Sequence, residues 1–370
     1  MTSRELINAL LTKGGSAERV GLFEHFWGEL SALWAEQGAP GSNPYVYLYP
    51  DLDMAHCGGW FNVEAIEAPY EVIEETEEWV TKRDGSGAAL RWWKSHSGTP
   101  EHIDFRMTSR AVWERDYRPH IPTGASLSRL EGGRWKGNGK LENDRLALAA
   151  ARQADKWAFF GHVFIWEILR GSLGDLTLFE SLVLDPGWIK DFNRVYADYY
   201  KAQFKRLMDT VGMPDGIWIY EDLGYKNGLF ASPRVLKELI FPFFAELVDY
   251  LHSFGLPVVL HSCGNITRAL PMIVDAGFDA LQPMEVKAGC DPLAFAEQYH
   301  DRLALIGGLD VRFLETNDRA VIEREVARLI DGMKARGARY VFHSDHSITP
   351  LVCYDSYRYA LDVYRQHMRY

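Results

Sequence analysis

The chain has 370 residues, of which 47% are hydrophobic and 25% charged, and carries a formal net charge of -11. That is a globular composition with enough length for a large core, and α/β barrels use this much chain as one unit, so residues 1–370 are expected to form a single domain. The acidic balance, the lack of any apolar run near a membrane span of roughly 18–20 residues, and four cysteines (Cys57, Cys263, Cys290, Cys353) too few for a disulfide framework argue against nucleic acid, membrane and secretion, and point to the cytoplasm.

In chain order, "MTSRELINALLTKGGS" reads as a short amphipathic helix without the apolar core of a secretory signal. "RVGLFEHFW" (19–27) supplies a first strand. Residues 70–150 interrupt the pattern. "EEWVTKRDGSGAALRWWKS" predicts a β-hairpin turning at Asp84-Gly85, and the glycine-rich, basic "SLSRLEGGRWKGNGK" (126–140) predicts a loop. This segment is read as an excursion over one end of the fold, either a lid or a plain insertion.

"WAFFGHVFIWEIL" (157–169) supplies another strand, and "GIWIYED" (216–222) the next. Ser232-Pro233 then supplies an N-cap and a first-turn proline for a helix that runs to Gly255, with a kink predicted at Pro242. "LPVVLHSCG" is a strand, followed by a helix over 266–276. "FDALQPME" is a strand, followed by the helical "DPLAFAEQYH"; "LALIGGLD" is a strand, followed by a helix over about 318–336 whose apolar residues recur at helical spacing. "RYVFHSDH" is the last strand and "YDSYRYALDVYRQH" the last helix. Short, nearly continuous apolar strands alternating with helices predict buried parallel strands, hence an α/β fold of the (β/α)8 TIM-barrel type with a hairpin and loop excursion in its N-terminal half. A doubly wound open sheet is the alternative, but no G-x-G-x-x-G follows a strand.

Polar residues gather at the carboxyl ends of these strands: Glu221 and Asp222, His261 and Cys263, Glu285, Asp310, then Asp345 and His346. In a parallel barrel all those ends open on the same face, so residues far apart in sequence converge on one mouth. There, His261, Cys263 and His346 form an N/S/N donor set suited to Zn²⁺, with Glu221 as a fourth ligand that can yield to substrate, or as an acid/base. His261 and His346 are therefore catalytic candidates together with Glu221. Asp222, Glu285, Asp310 and Asp345 are expected to position substrate, as is Asn227 on the loop "EDLGYKNGLFASP" beside Lys226. Cys290 is a rival ligand, and a Cys263–His346 nucleophilic pair is the competing chemistry. Cys57 and Cys353 read as packed thiols. His343, by strand alternation, is expected to point away from the mouth in a structural role. Trp166, Glu167, Glu24, His25 and Trp27 are candidate pocket-lining residues.

"YEDLGYKNGLFASP", "VVLHSCGN", "ALQPMEVKAGCD", "IGGLD" and "SDHSITPLVCYDSYRYAL", in this order, resemble the uroporphyrinogen decarboxylase superfamily. The likeness is to its methyltransferase branch of methylcobalamin:coenzyme M methyltransferases and corrinoid-linked O-demethylases, and covers about residues 155–370. It implies a (β/α)8 barrel in which an H-x-C motif and a later cysteine bind zinc. His261 and Cys263 match the motif, while His346 stands where the later cysteine would fall. The N-terminal "VGLFEHFWGE" lacks the arginine with which true uroporphyrinogen decarboxylases grip propionates. The resemblance thus implies a zinc-dependent methyltransferase or demethylase passing a methyl group between a small substrate and a thiol or a corrinoid on a separate protein. A methoxyaromatic substrate would suit the many aromatic residues. The alternatives are a metal-free, decarboxylase-like lyase acting on a carboxylated substrate, and a non-catalytic barrel that binds a tetrapyrrole or a corrinoid protein.

Overall fold

The computed structural model describes residues 1–95, 100–124 and 141–370; the loop expected over 126–140 lies outside them. Eight parallel strands form the central sheet: β1 (Gly21–Leu22), β2 (Met54–His56), β3 (Trp157–Val163), β4 (Gly216–Tyr220), β5 (Val258–Ser262), β6 (Ala280–Pro283), β7 (Ala304–Ile306) and β8 (Tyr340–Phe342). From β2 to β8 each strand pairs with its neighbour in sequence, and β8 pairs with β1. The remaining seam, between β1 and β2, is closed by one residue. The Asp53 amide donates to the Leu22 carbonyl at 2.8 Å, and its carboxylate accepts from the Leu22 amide, also at 2.8 Å. The same buried carboxylate accepts from Ser3 Oγ at 2.6 Å and from both terminal nitrogens of Arg19 at 2.6 and 2.8 Å. The fold is therefore the expected (β/α)8 barrel.

Strand alternation divides the apolar side chains into two cores. Phe23, Met54, Phe159, Trp218, Val259, Ala280, Ile306 and Val341 fill the barrel interior. Leu6, Ile7, Leu10 and Leu11 of the N-terminal helix Ser3–Leu11 join that cluster and plug one end. The opposite parity, including Ile217, Ile219, Val258, Leu260, Leu281 and Leu305, packs outward against the helices. Interior space at the other, carboxyl-terminal end is left to polar side chains.

The helices follow their capping signals. Asp318 accepts from the Ala320 and Val321 amides to start helix Arg319–Ala335, and Asp291 does the same for Pro292–Tyr299. The helix expected over 233–255 is broken into Pro233–Leu239 and Phe241–His252, because Pro242 has no N–H to continue the ladder and can stand only in a first turn. The helix expected over 266–276 starts as a 3-10 turn, Thr267–Ala269, and continues as Leu270–Asp275. Within the excursion, Trp79–Arg83 and Ala88–Trp93 pair around the Asp84–Gly87 turn and are flanked by Glu71–Glu75 and Glu101–Phe105 in a four-stranded antiparallel sheet. It rests on the helix Ile165–Leu184. At Gly174 (φ 73°) the backbone meets the Phe105 ring so closely that a Cβ would lie 2.4 Å from it. No helix among the described residues is long and apolar enough to cross a membrane.

Candidate metal centre and adjoining cavity

The interior parity of β4 and β5 continues past their ends and brings Asp222, His261 and Cys263 together. One donor atom from each lies within 4.8 Å of the others, and no other group of three or more such donors is found among the described residues. His261 Nε2 is 3.4 Å from Cys263 Sγ and 3.5 Å from Asp222 Oδ1. The loop carrying the thiol is fixed by its backbone. The Cys263 amide donates to Asp222 Oδ1 at 2.8 Å, and the Gly264 amide to Glu285 Oε2 at 2.6 Å. Gly264 has φ 80° and lies against the backbone of Gly224 and Tyr225.

The charges are mutually adjusted. Burial works to lower the His261 pKa, but the negative charge of a Cys263 thiolate and of the Asp222 carboxylate overcomes it and holds the imidazole well above its usual range. Burial tends to raise Asp222, yet His261 and the Cys263 amide bring it below the usual carboxylate value. Burial raises Cys263, although His261 opposes it. A divalent metal would displace the protons that the imidazole and the thiol share and satisfy three converging donors at once.

Behind the triad runs a buried polar chain. His261 Nδ1 bonds Gln282 Oε1, Gln282 Nε2 lies 3.4 Å from His343 Nε2, and His343 Nε2 lies 2.9 Å from His25 Nδ1. His343 Nδ1 bonds the Ser344 carbonyl. Burial lowers His343 to about 3, so it is neutral. Glu24, 2% exposed, accepts from Ser344 Oγ at 2.8 Å and from the His25 amide at 2.9 Å; burial nonetheless raises it to about 8.

Beside this chain is a cavity of about 370 Å³ lined by Phe23, His25, Tyr45, Tyr49, Leu52, Met54, Ala55, His56 and Tyr220. Among the described residues no lysine, arginine or carboxylate lines it, and burial, with His343 adding to it, holds the His25 pKa well below the usual imidazole value. Tyr220 joins cavity to triad, its ring centroid 5.2 Å from that of His261.

Of the expected ligands, the structure unites His261 and Cys263, and Asp222 replaces both Glu221 and His346 beside them. Glu221 has the opposite parity and is fully buried. Its oxygens accept from the amides of Phe164, Trp166 and Glu167 and so tie the start of helix Ile165–Leu184 to β4. The His346 ring stacks on Trp27 with centroids 6.1 Å apart, outside the triad. Glu285 holds the H-x-C loop from its carboxyl side. Asp310 caps helix Val311–Glu315 and pairs with Arg312 at 2.6 Å. Asp345 is buried and accepts from the Val286 and Val311 amides, both at 2.9 Å. Asn227 and Lys226 are exposed on the turn of a small hairpin, Gly224–Tyr225 with Gly228–Leu229.

Cys290 is buried and donates to the Gly264 carbonyl at 3.4 Å rather than joining the triad. Cys57 is buried, whereas Cys353 is half-buried at the start of the last helix. Trp166 donates its indole N–H to the Asp222 carbonyl at 2.8 Å, and burial with the Asp222 charge raises the neighbouring Glu167 to about 7. His343 corrects its expectation: it shares the interior parity of Val341 and points into the barrel. Gln282, His56 and Tyr220 were not anticipated as site residues. Their parity with Ala280, Met54 and Trp218 was the available signal.

The sequence matches the uroporphyrinogen decarboxylase (URO-D) family over residues 188–367. No curated protein matches it. Among solved structures, a methyltransferase from Methanosarcina mazei superposes over 99% of each chain, with a TM-score of 0.68 and 15% identity; at that identity the likeness is one of fold. A glycosylated endo-β-1,4-xylanase from Gloeophyllum trabeum matches 61% of this chain and 80% of its own at 11% identity, but its TM-score of 0.38 carries no argument.

Proposed function

Residues 188–367 match the uroporphyrinogen decarboxylase family, and from that premise we propose that the chain is a zinc-dependent methyltransferase or demethylase of that superfamily. The observation that carries the reading is the convergence of Asp222, His261 and Cys263 at the mouth beside an uncharged aromatic cavity. An imidazole, a thiol and a carboxylate are donors that Zn²⁺ accepts, and a three-residue set leaves a coordination position for a reactant. Bound there, zinc supplies either a thiolate stabilised at neutral pH or Lewis-acid polarisation of an ether oxygen.

The chain's own residues do the rest. Asp222 holds the Cys263 amide and faces His261, which fixes the relative positions of the three donors. The cavity between Phe23, Tyr45, Met54 and Tyr220 binds an uncharged, aromatic-sized methyl donor or acceptor and excludes water from it. Neutral His25 and His56 offer hydrogen bonds there without a charge. The second methyl carrier is a thiol or a corrinoid brought to the mouth by a separate protein.

The test is methyl transfer from neutral aryl methyl ethers or methyl thioethers to a free corrinoid or thiol by the zinc-loaded protein. Activity that is lost in Cys263→Ser supports the reading. Undiminished methyl transfer by chelator-treated, zinc-free protein would overturn the zinc dependence, and no methyl transfer from any of these donors would favour the lyase.

A further inference from the structure

We infer that Gln282 is the positioning residue that sets the tautomer of His261, in a hydrogen-bond order anchored at the Ser344 carbonyl. The inference rests on the zinc reading above and deepens it. A carbonyl oxygen can only accept, so the bond between Ser344 O and His343 Nδ1 places the His343 proton on Nδ1. In the neutral imidazole, Nε2 is then an acceptor. The groups that reach it are His25 Nδ1 at 2.9 Å, Glu24 Oε1 at 3.3 Å and the Gln282 amide NH₂ at 3.4 Å; the Glu24 carboxyl, which burial keeps protonated at neutral pH, faces the lone pair as a donor like the other two.

With its NH₂ committed to His343, Gln282 turns its carbonyl oxygen to His261 Nδ1. That nitrogen must carry a proton, and the Nε2 lone pair is left for the metal, facing Cys263 Sγ and Asp222 Oδ1. Flipping the Gln282 amide fails at both ends. Its oxygen would face the His343 lone pair, and its NH₂ would demand a lone pair on His261 Nδ1, which in the neutral ring puts the proton on Nε2. Gln282 is 2% exposed, so water cannot substitute for either bond.

Partners of this kind on the far nitrogen of a metal-bound histidine typically change metal affinity about 10–100-fold. The experiment is zinc affinity by competition with a chromophoric chelator, with thermal unfolding as the folding control. Gln282→Met, close in volume but with no acceptor, is expected to weaken zinc binding about 10–100-fold while remaining folded. Gln282→Glu, which keeps the acceptor for His261 Nδ1 but sets its second oxygen against the His343 lone pair, is expected to bind zinc more tightly than Gln282→Met. Unchanged affinity in Gln282→Met overturns the inference, as does a Gln282→Glu that binds no more tightly than Gln282→Met, which would show that the acceptor does not matter. If Gln282→Met fails to fold, Gln282→Leu, which also lacks an acceptor, takes its place in the comparison. A parent chain that takes up no zinc sinks the metal reading itself, a result distinct from either variant outcome.

Discussion

Asp345 provides a test in which the pH dependence of stability carries the information. Its carboxylate is buried and holds two loops at the mouth: Oδ2 accepts from the Val286 amide and Oδ1 from the Val311 amide, both at 2.9 Å. Burial, reinforced by the Asp310 charge, raises its pKa from 3.8 to about 6 against those hydrogen bonds. Between these values the folded chain keeps a proton that the unfolded chain has lost. Stability from this group therefore falls as pH rises through the window and is level above it. At about 1.4 kcal/mol for each pH unit of displacement, the loss amounts to about 3 kcal/mol.

Asp345→Asn removes the ionisation but keeps one carbonyl oxygen, and it turns an NH₂ toward one of the amides, a mismatch that costs about 2 kcal/mol. The variant should be less stable than the parent by about 2 kcal/mol near pH 3.5 and more stable by about 1 kcal/mol near pH 7.5. Urea unfolding of both proteins across that range measures the difference directly. A difference of the same sign and size at both ends would refute the argument that burial dominates this carboxylate.

Asp53→Ala should cost about 3–5 kcal/mol in urea unfolding, because it opens the β1–β2 seam and leaves the Arg19 guanidinium and the Leu22 amide without their partner. A loss below about 1 kcal/mol would mean that the seam is held elsewhere. Gly264→Ala should lose more than about 2 kcal/mol and weaken zinc binding as well, since φ is 80° and the new Cβ would lie 2.2 Å from the Gly224 carbonyl carbon and 2.4 Å from the Tyr225 nitrogen. Chelator competition and unfolding, run together, would show both effects; a stable variant with parental zinc affinity would contradict them.

The barrel was legible because its strands are apolar on both faces, as in "GIWIY" and "VVL", and its helices begin at Asp291, Asp318 and Ser232 with ordinary capping chemistry. β2 escaped notice because only Met54–His56 pairs, too short a run to show a pattern. At the mouth, residue type and strand-end position selected His261 and Cys263 correctly as neighbours. They could not separate Glu221 from Asp222. Adjacent strand residues face opposite ways, and the parity of Trp218 and Tyr220 puts Asp222 inside and Glu221 against the helix layer. The same parity would have placed Gln282 with Ala280 and His343 with Val341. His346 lies beyond such counting, because its loop is redirected by bonds from Ser344 to Glu24 and from the Asp345 amide to the Leu309 carbonyl.

The most direct measurement is elemental analysis of the purified protein and three single variants. About one zinc per chain is expected in the parent, with its loss in Asp222→Ala and Cys263→Ser and its retention in His346→Ala. Zinc lost from His346→Ala but retained by Asp222→Ala would contradict the assigned triad, and a parent without zinc would contradict the metal centre altogether.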